Sequence, residues 1–232
     1  MKYQKIKEAR FINRPNRFIA NVLIDGVEEK VKVKNTGRCK ELLEPGARVI
    51  LEDCSHIPNR KTKYSLIAVW KGDMLVNMDS QVPNRVVYDS LIGNKIAGLK
   101  DIDLAKREVT YNNSRFDIYF EKEDKKGFIE VKGVTLEDDL VARFPDAPTG
   151  RGTKHVMELI KAVEEGYMGI IFFLIQMKGP KEFRLNWKMD KPFSEAVRLA
   201  FKKGVKGMAY DSKVKADSIE IGQPVAIDLE NF

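Results

Sequence analysis

Hydrophobic and polar positions alternate along the first third of the chain. Phe18 to Ile24 is a β-rich run, Asp25-Gly26 is a two-residue hairpin signal, and Val27 to Val33 alternates apolar and charged residues. Arg48 to Leu51, Tyr64 to Trp70 and Leu75 to Met78 add three short strands, with a short helical stretch at Lys40 to Leu43 and a Pro45-Gly46 turn. Five short strands and one small helix before Pro83 predict a small closed barrel of the OB type.

Beyond Pro83 the period changes. Val86 to Ile96 reads as a helix with Val86, Val87, Leu91 and Ile92 apolar. Three strands follow: Lys106 to Tyr111, Ser114 to Glu121 and Gly127 to Val134. Asn112-Asn113, a pair suited to positive φ, joins the first two, and a charged turn over Lys122 to Lys125 joins the last two. A loop rich in Pro and Gly, Phe144 to Gly152, opens a helix from Thr153 to Glu165 with Val156, Leu159, Ile160 and Val163 on its core face. Met168 to Met177 is a buried central strand, Pro192 to Lys203 a helix and Val205 to Tyr210 a strand. The expected fold is therefore α/β (α+β): a five-stranded OB-like barrel over 1–82, then a mixed sheet flanked by helices over 83–232, a nuclease-like layout.

The two hairpins define registers. The Asn112-Asn113 turn sets Tyr111 opposite Ser114, Val109 opposite Phe116 and Glu108 opposite Asp117. The second turn sets Glu121 opposite Lys126, Ile118 opposite Ile129, Phe116 opposite Val131 and Asp117 opposite Glu130. Both gather apolar residues on one face, and the other carries Glu108, Asp117 and Glu130 in a row, with Lys132 two residues on. Opposed carboxylates repel, so such a row calls for a cation or for raised pKa values, and hard oxygen ligands suit Mg²⁺ or Mn²⁺. Acid-x-Lys itself is common here, since Glu28/Lys30, Glu123/Lys125, Asp124/Lys126 and Asp211/Lys213 repeat it; only Glu130/Lys132 lies in an apolar strand and pairs with an upstream strand acid. The competing reading is a solvated sheet face whose acids are balanced by Arg115 and Lys132.

Charge changes the picture further. The net charge of +7 is uneven: 16 Lys and Arg against 10 Asp and Glu up to Pro83, then 25 against 24. The loops of the first third carry Arg10, Arg14, Arg17, Arg38, Lys40, Arg60, Lys61 and Lys63, the requirement of a groove for a polyanion. Phe11 and Phe18 read as barrel core. Arg151 and Lys154 stand at a helix start suited to phosphate, and His155 is either a structural or a catalytic histidine. Cys39 and Cys54 lack metal-site spacing and read as reduced bystander thiols. Met168 to Met177 is about half the ~20 residues of a membrane span, and Met1 to Lys5 lacks a signal-peptide core, so a cytoplasmic protein is expected.

Asn13-Arg14-Pro15-Asn16-Arg17-Phe18, Asn35-Thr36-Gly37-Arg38, Glu41-Leu42-Leu43, Pro45-Gly46 and Arg60 to Tyr64 resemble the N-terminal signatures of the sugar fermentation stimulation protein A family. Ser114-Arg115-Phe116-Asp117, Glu130-Val131-Lys132, Val134-Thr135-Leu136, Phe144 to Pro148 and Arg151-Gly152 with Lys154-His155 extend the resemblance over nearly the whole chain. Gly133 departs from it, standing where a small polar residue is expected. The resemblance implies an OB-like domain, a PD-(D/E)xK nuclease fold, DNA binding with little sequence preference and a regulatory link to sugar, especially maltose, metabolism. Its nuclease motif falls on Asp117, Glu130 and Lys132, with Asp89 or Glu108 as the further metal acid, and Arg115 and His155 as accessory residues.

The favoured reading is thus a Mg²⁺- or Mn²⁺-dependent nuclease acting on single- or double-stranded DNA. Asp117 and Glu130 hold the metal, Lys132 assists the attacking water, and Arg14, Arg17, Arg38, Arg60, Lys61, Lys63, Arg151 and Lys154 hold phosphates. One site per chain would suit a homodimer for double-strand cleavage. The alternative is a DNA-binding transcriptional regulator on a silent nuclease scaffold. A sugar- or nucleotide-processing enzyme has no supporting motif, neither P-loop nor Rossmann glycines.

Overall fold

The structure, a computed structural model, describes residues 1–35 and 37–229. Thr36, part of one of the quoted motifs, lies outside them.

Strands β1 (Ile6–Asn16), β2 (Ile19–Ile24), β3 (Val27–Val33), β4 (Arg48–Asp53) and β5 (Tyr64–Lys71) form the N-terminal barrel. β1 pairs with β2 and β4, β2 with β3, β4 with β5, and a parallel β3–β5 contact closes the ring in the OB order. Phe11, Val22, Val31, Val49, Leu51, Leu66 and Val69 fill it. Asp25 and Gly26 take positive φ and make the expected β2–β3 turn.

Sequence alternation misses β1 and so miscounts the barrel. In its first half only Ala9 and Phe11 point inward, between Lys7, Glu8 and Arg10, so the strand reads as a cationic loop. The fifth expected strand is instead β6 (Met74–Asn77), a hairpin arm on β5 outside the ring. The expected helix at Lys40 to Leu43 is a single turn in which the Leu42 and Leu43 N–H groups donate to the Cys39 carbonyl.

The second unit begins with α1 (Val82–Ile92), four residues earlier than expected, because Pro83 occupies its first turn and starts the helix instead of breaking the chain. Strands β7 (Leu104–Tyr111), β8 (Ser114–Lys122) and β9 (Lys125–Val134) follow. The Tyr111–Ser114 and Ile118–Ile129 registers hold, although the second turn needs only Glu123 and Asp124. After β10 (Leu136–Asp138), β11 (Val141–Phe144) and α2 (Gly150–Glu164) comes the apolar β12 (Met168–Ile175). The chain ends with β13 (Glu182–Leu185), α3 (Lys191–Lys202), β14 (Lys206–Lys215), β15 (Ser218–Pro224) and β16 (Ala226–Asp228).

The main sheet has the order β15-β14-β12-β9-β8-β7, with β12 parallel to both of its neighbours. Val86, Val87 and Leu91 of α1 pack with Ile118, Ile129, Phe172 and Leu174. Val156, Leu159 and Val197 of α2 and α3 pack with Phe128, Ile171 and Phe173. A small sheet, β10-β11-β13-β16, has strands of only three or four residues, too short for alternation to mark. Among the described residues no helix is long and apolar enough to cross a membrane.

Buried polar groups join the two units. Asn77 donates its backbone N–H to the Gln176 carbonyl at 2.8 Å, and the Gln176 amide returns a bond to the Asn77 side chain at 3.0 Å. The Gln176 amide also donates to the Asp79 carbonyl at 3.2 Å, and Lys71 reaches Glu137 at 2.7 Å. Gly133 is required at this seam, since a Cβ there would lie 2.5 Å from Gln176 Oε1 and 2.7 Å from the Pro83 ring. Gly133→Ala is expected to destabilise the protein by about 1 kcal/mol through overpacking, read as a melting temperature ~2–4 °C lower in thermal unfolding.

Candidate functional site

The site begins with a fault in β8. Residues two apart in a strand share a face, yet Phe116 packs in the core beneath α2 while Ile118 packs in the core beneath α1. Asp117 sits at the switch. The β8–β9 ladder stops at Ile118–Ile129, and the Asp117 carboxylate takes the next N–H of β9, accepting from Val131 at 2.8 Å. The expected Phe116–Val131 and Asp117–Glu130 strand pairs therefore do not form. Opposite the switch, Glu108 of β7 has φ 55°, a left-handed conformation unusual for a residue with a side chain.

Asp117 Oδ1 accepts a second bond from Asn84 Nδ2 of α1 at 2.5 Å. Glu130 is buried, and its Oε1 receives Lys132 Nζ at 2.7 Å and His155 Nδ1 at 2.6 Å. Arg151 Nε lies 3.5 Å from His155 Nε2, so the tautomer with its proton on Nδ1 serves both contacts. Among the described residues Glu130 Oε2 is buried without a partner. Thr149 Oγ1 caps α2 by accepting the Gly152 N–H at 3.1 Å, which fixes the turn carrying Arg151 and His155.

The two carboxylates differ electrostatically. Burial, reinforced by the charge of Glu130, pushes Asp117 up to about 6. Burial also acts upward on Glu130, but Lys132 and His155 outweigh it and hold that carboxyl below its usual range. An orphaned carboxylate oxygen beside a second, destabilised carboxylate fits a cation held between them. Among the described residues no group of three or more His, Cys, Asp or Glu is arranged to hold a metal. Asp117 and Glu130 would thus supply part of a shell completed by water and backbone carbonyl oxygen, as Mg²⁺ and Mn²⁺ tolerate.

The other expected acids lie elsewhere. Glu108 is turned outward by its backbone and pairs with Arg115 at 3.6 Å, both exposed. Asp89 lies on the exposed side of α1 and pairs with Arg85 at 3.6 Å. The α1 residue that reaches Asp117 is Asn84, which the expected helix start at Val86 left outside the helix.

The cations divide by what already occupies them. Arg14 acts as a clamp, donating through Nη1 and Nη2 to the carbonyls of Arg17, Asn35, Gly37 and Arg38 at 2.7–2.9 Å. Arg60 is likewise engaged, with the Thr62 carbonyl at 3.2 Å and Ser65 Oγ at 2.8 Å. Lys154 ties α2 to the Asn113 carbonyl at 3.1 Å. Arg17, Arg38 and Lys40 are exposed and line a cleft of about 890 Å³ between the barrel and the loop from Phe144 to Thr149. Gly133, next after Lys132, also lines it, whereas the exposed Lys61 and Lys63 do not. Phe11 is buried as expected, but Phe18 is 56% exposed. Asn16 Oδ1 accepts the N–H groups of Phe18 and Ile19, forming a tight turn that throws the Phe18 ring outward.

Comparison with known proteins bears on the family and the fold. The family described as the SfsA N-terminal OB domain matches residues 12–78, and the family described as the sugar fermentation stimulation protein RE domain matches residues 81–218. A sugar fermentation stimulation protein homolog of Alkaliphilus oremlandii is 58% identical over 98% of this chain and 99% of its own. A homolog of the same name from Clostridium botulinum is 53% identical over 97% of this chain and 98% of its own. A solved structure of Pyrococcus furiosus SfsA in complex with Ca²⁺ shares the fold, with a TM-score of 0.89 at 24% identity over 98% of each chain. Matched in both units and along nearly its full length, the chain belongs to the sugar fermentation stimulation protein (SfsA) family.

Proposed function

We propose that this chain is a divalent-cation-dependent nuclease that hydrolyses phosphodiester bonds in DNA with little sequence preference. The observation that carries the reading is the buried Glu130, tied to Lys132 and His155 through one oxygen and unpartnered at the other, beside an Asp117 that burial destabilises. The P. furiosus relative was solved with Ca²⁺, and a cation of that class suits the two carboxylates here.

Bound Mg²⁺ or Mn²⁺ would supply Lewis-acid stabilisation of the developing phosphoryl charge and a more acidic water. The chain's own residues supply the rest. Glu130 is held ionised and oriented by Lys132 and His155. Asp117 is anchored by Asn84 and the Val131 N–H. Lys132 places an ammonium where it stabilises negative charge or exchanges a proton with the nucleophile. Arg151, exposed at the start of α2, and the cationic wall of the cleft hold phosphates.

The test is a cleavage assay with Mg²⁺ or Mn²⁺ on single-stranded, duplex and branched DNA, run beside a Glu130→Ala, Lys132→Ala double variant. Cleavage that needs the cation and disappears in the double variant is the expected result. Tight binding with no cleavage of any substrate would replace the reading with that of a DNA-binding regulator. His155→Ala carries a further expectation, because it removes a donor that orients Glu130. Mn²⁺ affinity measured by calorimetry should fall about 10- to 100-fold, with the circular dichroism spectrum unchanged. Undiminished affinity would assign His155 a purely structural place.

A further inference from the structure

The cleft has two unlike walls. On the barrel side stand the exposed cations Arg17, Arg38 and Lys40 with the amides of Asn13 and Asn16. On the opposite side the loop presents Phe144, Pro145, Ala147 and Pro148, with Asp146 and Thr149 as the polar residues among them. Phe18 follows Arg17 at the tip of the β1–β2 hairpin, its ring exposed and its backbone fixed by Asn16. At about 890 Å³ the space lies near the upper end of the ~300–1,000 Å³ clefts that enclose small ligands.

A duplex turns only phosphates and groove edges outward and has no base faces to offer an apolar wall. An unpaired strand has phosphates along one side and base faces along the other, the complement of these two walls. Resting on the reading of this chain as a protein that acts on nucleic acid, we infer that the cleft holds an unpaired strand. Its phosphates lie against Arg17, Arg38 and Lys40, its bases lie against the Phe144–Pro148 loop, and one base stacks on Phe18. Gly133, which lines the cleft, follows Lys132 in β9, and this one residue links the cleft to the strand that carries Glu130. The substrate class is therefore single-stranded nucleic acid, or a duplex end that has opened.

Fluorescence anisotropy tests this with a 5′-labelled 20-nucleotide DNA strand and the duplex of the same sequence, both in EDTA so that nothing is cut. Wild-type protein is expected to bind the single strand more tightly than the duplex. Phe18→Ala should weaken single-strand binding roughly tenfold and leave the duplex unchanged. Phe18→Trp should restore affinity, and Phe18→Leu, which keeps apolar area without an aromatic face, should not. Restoration by Leu, equal losses on both ligands, or a wild-type preference for duplex would each overturn the inference. Failure of the wild type to bind either ligand would instead defeat the nucleic-acid reading on which it rests. Phe18 lies outside the core, so all three variants should fold.

Discussion

Lys132→Ala is expected to slow cation-dependent DNA cleavage by about a thousandfold while the protein stays folded. Among the described residues Lys132 is the one lysine or arginine bonded to Glu130, and its side chain is nearly enclosed. On the proposed mechanism its loss would remove positive charge from where the scissile phosphate would gain negative charge, and it frees Glu130 to take up a proton more readily. Lys132→Arg separates two ways of acting. A guanidinium keeps the charge but gives up no proton at neutral pH, so partial rescue by Arg marks an electrostatic role and no rescue marks proton exchange. Single-turnover rates at saturating Mn²⁺ distinguish these outcomes from a simple loss of cation affinity. A rate within a few-fold of wild type would remove Lys132 from the chemistry.

The second large effect is on stability. Asp117 titrates at about 6 in the folded protein against an ordinary 3.8, first because it is buried and then because Glu130 is charged nearby. Between those values the folded protein keeps a proton that the unfolded chain has released, so stability falls as pH rises through that window. Above pH 6 the ionised carboxylate destabilises the cation-free fold by about 2–3 kcal/mol. Asp117→Asn should therefore melt ~5–10 °C above wild type at pH 8 in EDTA, and the gap should close near pH 4. Saturating Mn²⁺ should narrow it from the other side by stabilising only the wild type. Equal melting temperatures at pH 8 would mean that Asp117 is not strained by its burial.

Much of this site is legible in the chain. The hairpin pairing Tyr111–Ser114 and the pairing Ile118–Ile129 follow from turn chemistry and alternation, and they suffice to bring Asp117 and Glu130 to one end of one sheet. What alternation does not reveal is the change of face between Phe116 and Ile118. Both are large and apolar, so a face swap and a regular strand have the same pattern of letters. That swap turns Glu108 out to solvent and removes the third carboxylate from the expected row. His155 and Glu130 are 25 residues apart, and their bond depends on how α2 lies over β9, which no local pattern encodes. Arg14 and Arg17 are the same residue type in one hairpin. One is sequestered by four carbonyls and the other is free to meet a ligand, a distinction set by the path of a distant loop.

The seam between barrel and sheet has its own consequence. Asn77, Met78 and Asp79 are all buried, and the Gln176 amide holds both Asn77 and Asp79 across the seam, which stiffens the joint between the two units. On the nuclease reading proposed above, the grip on a strand and the carboxylates that would cut it belong to one rigid jaw. For a strand fed in from one end, such a jaw would be a ruler: it would cut at a set number of nucleotides from where the chain is grasped, and a longer substrate would yield more pieces of the same length.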